Sequence, residues 1–575
     1  MRRLLLALFL VFALAGLALA VAFLLVVSPS RTRLSSATVL KWRLGGELAE
    51  QTPGGGFVLP GYEPEPTYAD AFLALRQARK DSSLRGLALY IDQPRFGFAR
   101  AEELRRLLSG VRAAGKFVEC YLETAGEGTN GTLSYFLASA CSGIHLSPVG
   151  EVNLLGLYAP GLFLRSALDK LHIDPQFSAQ GAYKSAIETY TRSDYSAPAE
   201  EAISAVLDRE FEVLVAGIAE ARGLSPERVR ELVDQAPHSA EDAKRLGLVD
   251  GLAYADEFDQ LLENKLGEEP RFVSLEDYTR ERPAWSPGHI AVLFATGTIV
   301  RGKSGMAGLS GEILLGSEDF TALLQRVADD DDIDAVVLRV DSPGGSAIAS
   351  DLILREVGRL AKKKPLVASM GDVAASGGYY IVAKAPTIVA ERSTLTGSIG
   401  VFSGKLVTGS FQQDLLGITH DPQKRGANAD LYSALKPFTP EQAEKFRAST
   451  ASIYSRFKGH VAAGRRLSPD AVEAVAQGRV WAGADAARRG LVDQLGGLGL
   501  AVELAAKAAS IDPERAQLDF YPEPPSLLDW LQAHNPWTAI RLPAPFADAA
   551  TALDAQPGPR LFLPRELSTL ARPFE

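Results

Sequence analysis

Met370-Gly371-Asp372-Val373-Ala374-Ala375-Ser376-Gly377-Gly378-Tyr379-Tyr380 places a serine after a strand-like run, Pro365 to Ser369, and before an apolar helix-like run, Tyr379 to Ala383. On so tight a strand-to-helix turn the hydroxyl is presented outward, and the two glycines let a substrate backbone come close. The first N–H groups of the helix then point at whatever the hydroxyl attacks, which suits a developing oxyanion. Such a turn is a nucleophile's setting, although Ser-Gly-Gly also makes ordinary loops.

A nucleophilic serine needs a base. The chain has seven histidines, His145, His172, His238, His289, His420, His460 and His534, none in a recognisable motif. No Gly-x-Ser-x-Gly elbow is present. The other known activator is a lysine held neutral by desolvation. Gly181-Ala182-Tyr183-Lys184-Ser185-Ala186-Ile187-Glu188 supplies one among small and apolar neighbours. Read bare, Lys184 is a surface lysine; an internal repeat changes that reading.

Asp242-Ala243-Lys244-Arg245-Leu246-Gly247-Leu248-Val249-Asp250 recurs as Asp485-Ala486-Ala487-Arg488-Arg489-Gly490-Leu491-Val492-Asp493, identical at seven of nine positions. Gly86 to Pro94 matches Ala335 to Pro343, and Asp174-Pro175-Gln176 matches Asp421-Pro422-Gln423. Offsets of 243 to 249 residues mean that whole domains repeat, not short solenoid units. Laid over each other, the halves set Ser376 opposite about Gly131 and Lys184 opposite about Ala429. Each half thus lacks the other's reactive group, and a Ser-Lys pair forms only across the two. Gly344-Gly345 faces Arg95-Phe96 in this alignment, so the glycines suited to an oxyanion fall in the half that carries the serine.

Four motifs, Asp341-Ser342-Pro343-Gly344-Gly345-Ser346, Ala374 to Tyr379, Leu395-Thr396-Gly397-Ser398-Ile399-Gly400 and Gly181 to Ala186, resemble those of one family. The chain is similar to the long, two-repeat form of the Ser-Lys signal peptide peptidases (signal peptide peptidase A, or protease IV) from its N-terminus to about residue 510. The resemblance implies an α/β fold of two tandem Clp protease/crotonase-like domains behind an N-terminal transmembrane helix. It implies Ser376 as nucleophile, Lys184 as general base, Ser398 as the residue orienting the lysine, and the N–H groups of Gly377 and of Gly345 or Gly344 as the oxyanion hole. It implies no cofactor and no metal. The family pattern often has proline and an aromatic where Thr189-Tyr190 stands here, which leaves the local turn open.

The implied chemistry is peptide hydrolysis: neutral Lys184 takes the Ser376 proton, returns it to the leaving amine, and water releases the acyl group. An ordinary lysine pKa near 10.4 must fall for this, so Lys184 should be buried and Glu188, four residues on, should point elsewhere. The resemblance further implies a homotetrameric bowl opening toward the lipid bilayer. Its substrates would be signal peptides and other extended apolar peptides, docked by strand addition. Two other readings stand beside this one: a crotonase-type acyl-CoA enzyme, which needs no Ser-Lys pair, and a non-catalytic membrane scaffold.

The rest of the chain sets the frame. At 575 residues it holds two or more full cores. A formal charge of −10 argues against nucleic acid, and Lys362 to Lys364 is only a short basic run. Asp329 to Asp332 reads as a solvated turn, and no zinc-type Cys/His spacing or phosphate-binding glycine loop occurs. Met1-Arg2-Arg3 precedes 24 uncharged residues, Leu4 to Val27, long enough to span a membrane. Residues 1–29 are therefore expected to form an uncleaved single-pass anchor with its start in the cytoplasm, and the family resemblance implies a bacterial inner membrane with the body periplasmic. Cys120 and Cys141 flank neighbouring strand-like runs and read equally as a bridge or as two buried thiols. The expected domains are 37–280 with the lysine, 289–509 with the serine, and an irregular Pro-rich tail, 521–575, holding ten prolines.

Overall fold

The computed structural model describes residues 37–52, 65–280, 288–307, 311–523 and 560–562. The anchor expected over residues 1–29 lies outside the described residues. Among those described, no helix is long and apolar enough to cross a membrane.

Each half is built on a largely parallel sheet. The first runs from edge to edge through Gly251–Leu252, Gly143–Leu146, Phe117–Leu122, Leu84–Pro94, Thr38–Gly46 and Arg271–Ser274. The second runs through Val480–Ala482, Leu395–Gly397, Leu366–Ala375, Ala335–Ser342, His289–Thr296 and Gln517–Tyr521. Ala335–Ser342 and Leu366–Ala375 are mostly apolar and buried on both faces, as parallel strands covered by helices must be. The edge strand Gln517–Tyr521 carries the second sheet past residue 509, to where the tail was expected to begin.

The repeated nine residues have a structural job. Tyr135 donates its hydroxyl proton to the Leu248 carbonyl, and Tyr379 does the same to Leu491. Asp250 accepts the Ile144 N–H and Asp493 the Ile388 N–H, while Arg222 and Arg465 close on those same carboxylates. Those arginines end two matching 26-residue helices, Ala197–Arg222 and Pro440–Arg465. Both helices start with a hydroxyl cap and an early proline, Ser196 over Ala199 N–H and Thr439 over Gln442 N–H. The shorter match at Asp174 and Asp421 is not structural. Asp174–Gln180 is a strand, whereas 421–427 is exposed irregular backbone with no strand partner.

The halves are not separate bodies. One apolar core takes Leu40, Leu89 and Val118 from the first sheet together with Val292, Val337 and Val367 from the second. The helix Leu498–Ala508 contributes Ala501, Val502 and Ala505 to it. Cys120 and Cys141, left open above, form a disulfide with Cα atoms 6.0 Å apart. A third sheet joins the halves, since Asp174–Gln180 pairs antiparallel with Val401–Val407 from Asp174↔Val407 to Gln180↔Val401. The tail, expected to be irregular, adds to this sheet the strand Arg560–Phe562, a proline-free stretch paired on both sides.

Candidate active site

The serine turn forms where the sequence places it. Leu366–Ala375 ends at Ser376, and the helix Gly377–Val382 follows at once. Ser376 has φ 53°, a left-handed conformation that side-chain-bearing residues rarely adopt. Its N–H is held by the Gly397 carbonyl at 2.8 Å, and its own carbonyl accepts from Tyr380 N–H at 2.8 Å. A side chain at Gly378 would meet the Ser342 carbonyl oxygen at 2.5 Å; one at Gly377 would come within 3.0 Å of Gly345 N. Glycine is required for the close approach of these two segments.

The pairing Gln180↔Val401 brings the lysine across. Four residues past Gln180 comes Lys184, and three before Val401 comes Ser398. Lys184 Nζ lies 2.8 Å from Ser376 Oγ, 2.9 Å from Ser398 Oγ and 3.1 Å from the Ser398 carbonyl oxygen. All three side chains are buried, Lys184 at 3% exposure and both serines at 0%. Burial pushes the Lys184 amine well below the usual lysine range. Glu188 is turned away: its carboxylate accepts Ser196 N–H at 3.0 Å and the Ser196 hydroxyl at 2.6 Å.

The six described histidines are engaged elsewhere, among them His145 with Glu119, His289 with Asp519 and His460 with Asp351. Gly344 N–H donates to Ser342 Oγ at 3.2 Å, whereas Gly345, with φ 151°, sits against Ile299, whose carbonyl oxygen a side chain would strike at 2.0 Å. At Thr189-Tyr190 the backbone is helical and Tyr190 stacks on Phe177, ring centroids 5.4 Å apart.

Sequence reading did not single out the loop that cradles the lysine. Tyr183 N–H donates to the Gln477 carbonyl at 2.8 Å, Ala182 N–H to Gln477 Oε1 at 3.0 Å, and Ser398 N–H to the Arg479 carbonyl at 2.8 Å. A signal was present, since Ala-Gln-Gly occurs at both 179–181 and 476–478, the two segments that cross here. Gly478 has φ 76°, and a side chain there would sit 2.6 Å from Lys184 Cβ. Gly478→Ala is therefore expected to displace the amine and lower kcat about 100-fold, the cost of an ångström-scale misplacement. Steady-state kinetics on a folded variant checks this, and unchanged kcat would refute it.

A buried amine on a serine hydroxyl in a two-repeat α/β chain defines a class of hydrolase, and comparison with known proteins places it. A model described as Peptidase family S49 matches residues 122–267 and 358–512. The chloroplastic serine protease SPPA of Arabidopsis thaliana is 34% identical over 492 residues, 83% of this chain and 70% of that one. Protease 4 of Salmonella typhi is 34% identical over 519 residues, 86% of this chain and 81% of that one. Among solved structures, ClpP1 from Listeria monocytogenes aligns at 14% identity and TM-score 0.21, covering 36% of this chain and 91% of that one. The chain belongs to peptidase family S49 and is a serine protease.

Proposed function

We infer that the protein hydrolyses extended apolar peptides, cleaved signal peptides among them, with Ser376 as nucleophile and Lys184 as general base. The observation that carries this reading is the buried Lys184 amine 2.8 Å from the Ser376 hydroxyl. Neutral Lys184 accepts the hydroxyl proton as Ser376 Oγ bonds to the peptide carbonyl carbon. The resulting ammonium protonates the departing amine; a water molecule, deprotonated by the same lysine, then attacks the ester carbon, and the ammonium returns that proton to Ser376 Oγ as the acid product leaves. Ser398 orients the amine through its hydroxyl and its carbonyl oxygen. Gly377 N–H and Gly345 N–H stabilise the oxyanion; Gly345 is preferred to Gly344 because the latter's N–H is given to Ser342 Oγ.

Because the base acts unprotonated, kcat/KM is expected to rise with pH through the depressed Lys184 value and to level off well below 10.5. A profile still climbing at about pH 10 would exclude Lys184 as the titrating group. Ser398→Ala should lower kcat about 10- to 100-fold, since a hydrogen bond to a charged group contributes about 1.5–3 kcal/mol.

Leu4 to Val27 would hold the protein in a bacterial inner membrane with its body periplasmic, and the assembly would be a homotetramer. Protease accessibility on spheroplasts and light scattering in detergent test these two points. Digestion of casein and of a Leu- and Ala-rich peptide, run beside fluorophosphonate labelling, tests the activity. Labelling of Ser376 without cleavage of either would point instead to acyl transfer on another substrate.

A further inference from the structure

The strand Arg560–Phe562 lies in the middle of the third sheet. It runs antiparallel to Gly344–Ser346, with Gly344↔Phe562, Gly345↔Leu561 and Ser346↔Arg560, and pairs antiparallel with Val401–Val407 at Phe402↔Arg560. Lifted out, it leaves two sheet edges facing each other across two strand spacings, about 9.5 Å. Paired edges of this kind accept an extended peptide and nothing bulkier.

The walls of that gap are the segments that build the site. One wall is Gly344-Gly345. The other starts at Val401, three residues after Ser398, and its far partner ends at Gln180, four residues before Lys184. Gly345, opposite Leu561, stands within about a contact distance of Gly377, the residue after the nucleophile. A peptide held in the gap therefore passes Ser376, and the segment held there belongs to the protein itself.

We propose that Arg560–Phe562 is a resident ligand of the substrate groove, so that the chain occludes its own active site and an incoming peptide must displace the tail strand. The proposal rests on the Ser376–Lys184 reading above. Its ladder is short: three residues face the glycine strand, against the seven register pairs that join Val401–Val407 to Asp174–Gln180. Three pairs suit an exchangeable occupant, and seven a permanent joint. The sequence Leu561-Phe562 is apolar, as the proposed substrates are. Covalent attachment makes its binding intramolecular, so it competes without any second molecule.

An occupant of this kind raises the apparent KM by the inverse of the open fraction and leaves kcat alone. In the full-length chain, Leu561→Pro removes a ladder N–H and disfavours the strand. If the tail is seated about nine-tenths of the time, KM for a short peptide should fall about tenfold and Ser376 should label with fluorophosphonate about tenfold faster. kcat should not change, and a synthetic peptide of sequence 558–563 should inhibit the variant competitively. Phe562→Pro is the second variant should the first perturb folding.

Equal KM and equal labelling rates in parent and variants would overturn the proposal while leaving the dyad standing. A fall in both activity and labelling would overturn it too, by making the strand a structural member of the sheet. Failure of every chain to label would overturn the dyad and the proposal with it. Latency that disappears on dilution would assign the strand to a neighbouring copy and overturn the same-chain form.

Discussion

Replacing Ser376 with alanine, or Lys184 with methionine, is expected to reduce peptide hydrolysis at least about 10⁴-fold while leaving the fold intact. The two losses should not add, because nucleophile and base act as a unit. A double variant should be no slower than the worse single one. Stability gives an independent reading of the lysine. Its amine is depressed in the folded chain and ordinary in the unfolded one, so between the two values the unfolded state holds the extra proton. Stability attributable to this group therefore climbs with pH across that window, by about 1.4 kcal/mol per pH unit. Lys184→Met escapes the burden. It should be at least as stable as the parent at neutral pH, and the gap should narrow as pH approaches 10.5. Thermal melts at several pH values, beside peptide assays and Ser376 labelling, check both statements. Retained hydrolysis in either purified variant would refute the dyad.

Arg339→Met is the second large effect expected. Arg339 lies at 0% exposure on the second-half strand Ala335–Ser342 and reaches into the first half. It meets Glu50 at 2.9 and 3.1 Å and Glu103 at 2.7 and 2.8 Å. Arg100 of the first half returns the contact, at 2.6 Å to Glu50 and 2.7 Å to Asp341. Burial opposes ionisation of Glu50, and the two guanidiniums overcome it, holding its carboxyl below the usual range. Removing one cation from such a lattice strands buried carboxylates and costs about 3–5 kcal/mol. Asp341 also accepts Val373 N–H at 2.9 Å, three residues before Ser376, so activity should fall with stability. Denaturant titration measures the loss. Adding Glu103→Gln to Arg339→Met should recover part of it by removing a stranded charge. A shift under about 1 kcal/mol would mean the lattice does not hold the halves together.

The local parts of this protein were legible in its sequence because their causes are local. The repeated nine-residue segment marked two equivalent halves before any contact was known. Glycines beside Ser376 announced a tight turn, since only glycine fits there. Apart from the pairing of Ser376 with Lys184, which the repeat and the resemblance implied, contacts between distant segments could not be read. The cradle of Lys184 by Gln477-Gly478 bonds Ala182 to Gln477, 295 residues away, and leaves only a shared triplet as its trace. The ten prolines of the tail concealed a strand because Arg560–Phe562 becomes one only where two edges wait for it.

The sequence by itself determined which groups are available, a serine on a strained turn in one repeat and a lone lysine in the other, because residue type and near neighbours decide those. The tertiary structure alone decided that they meet and that the amine is buried. That outcome depends on Gln180 pairing with Val401 across the two halves and on the exclusion of water from around Lys184, and desolvation is a property of the surroundings, not of the residue.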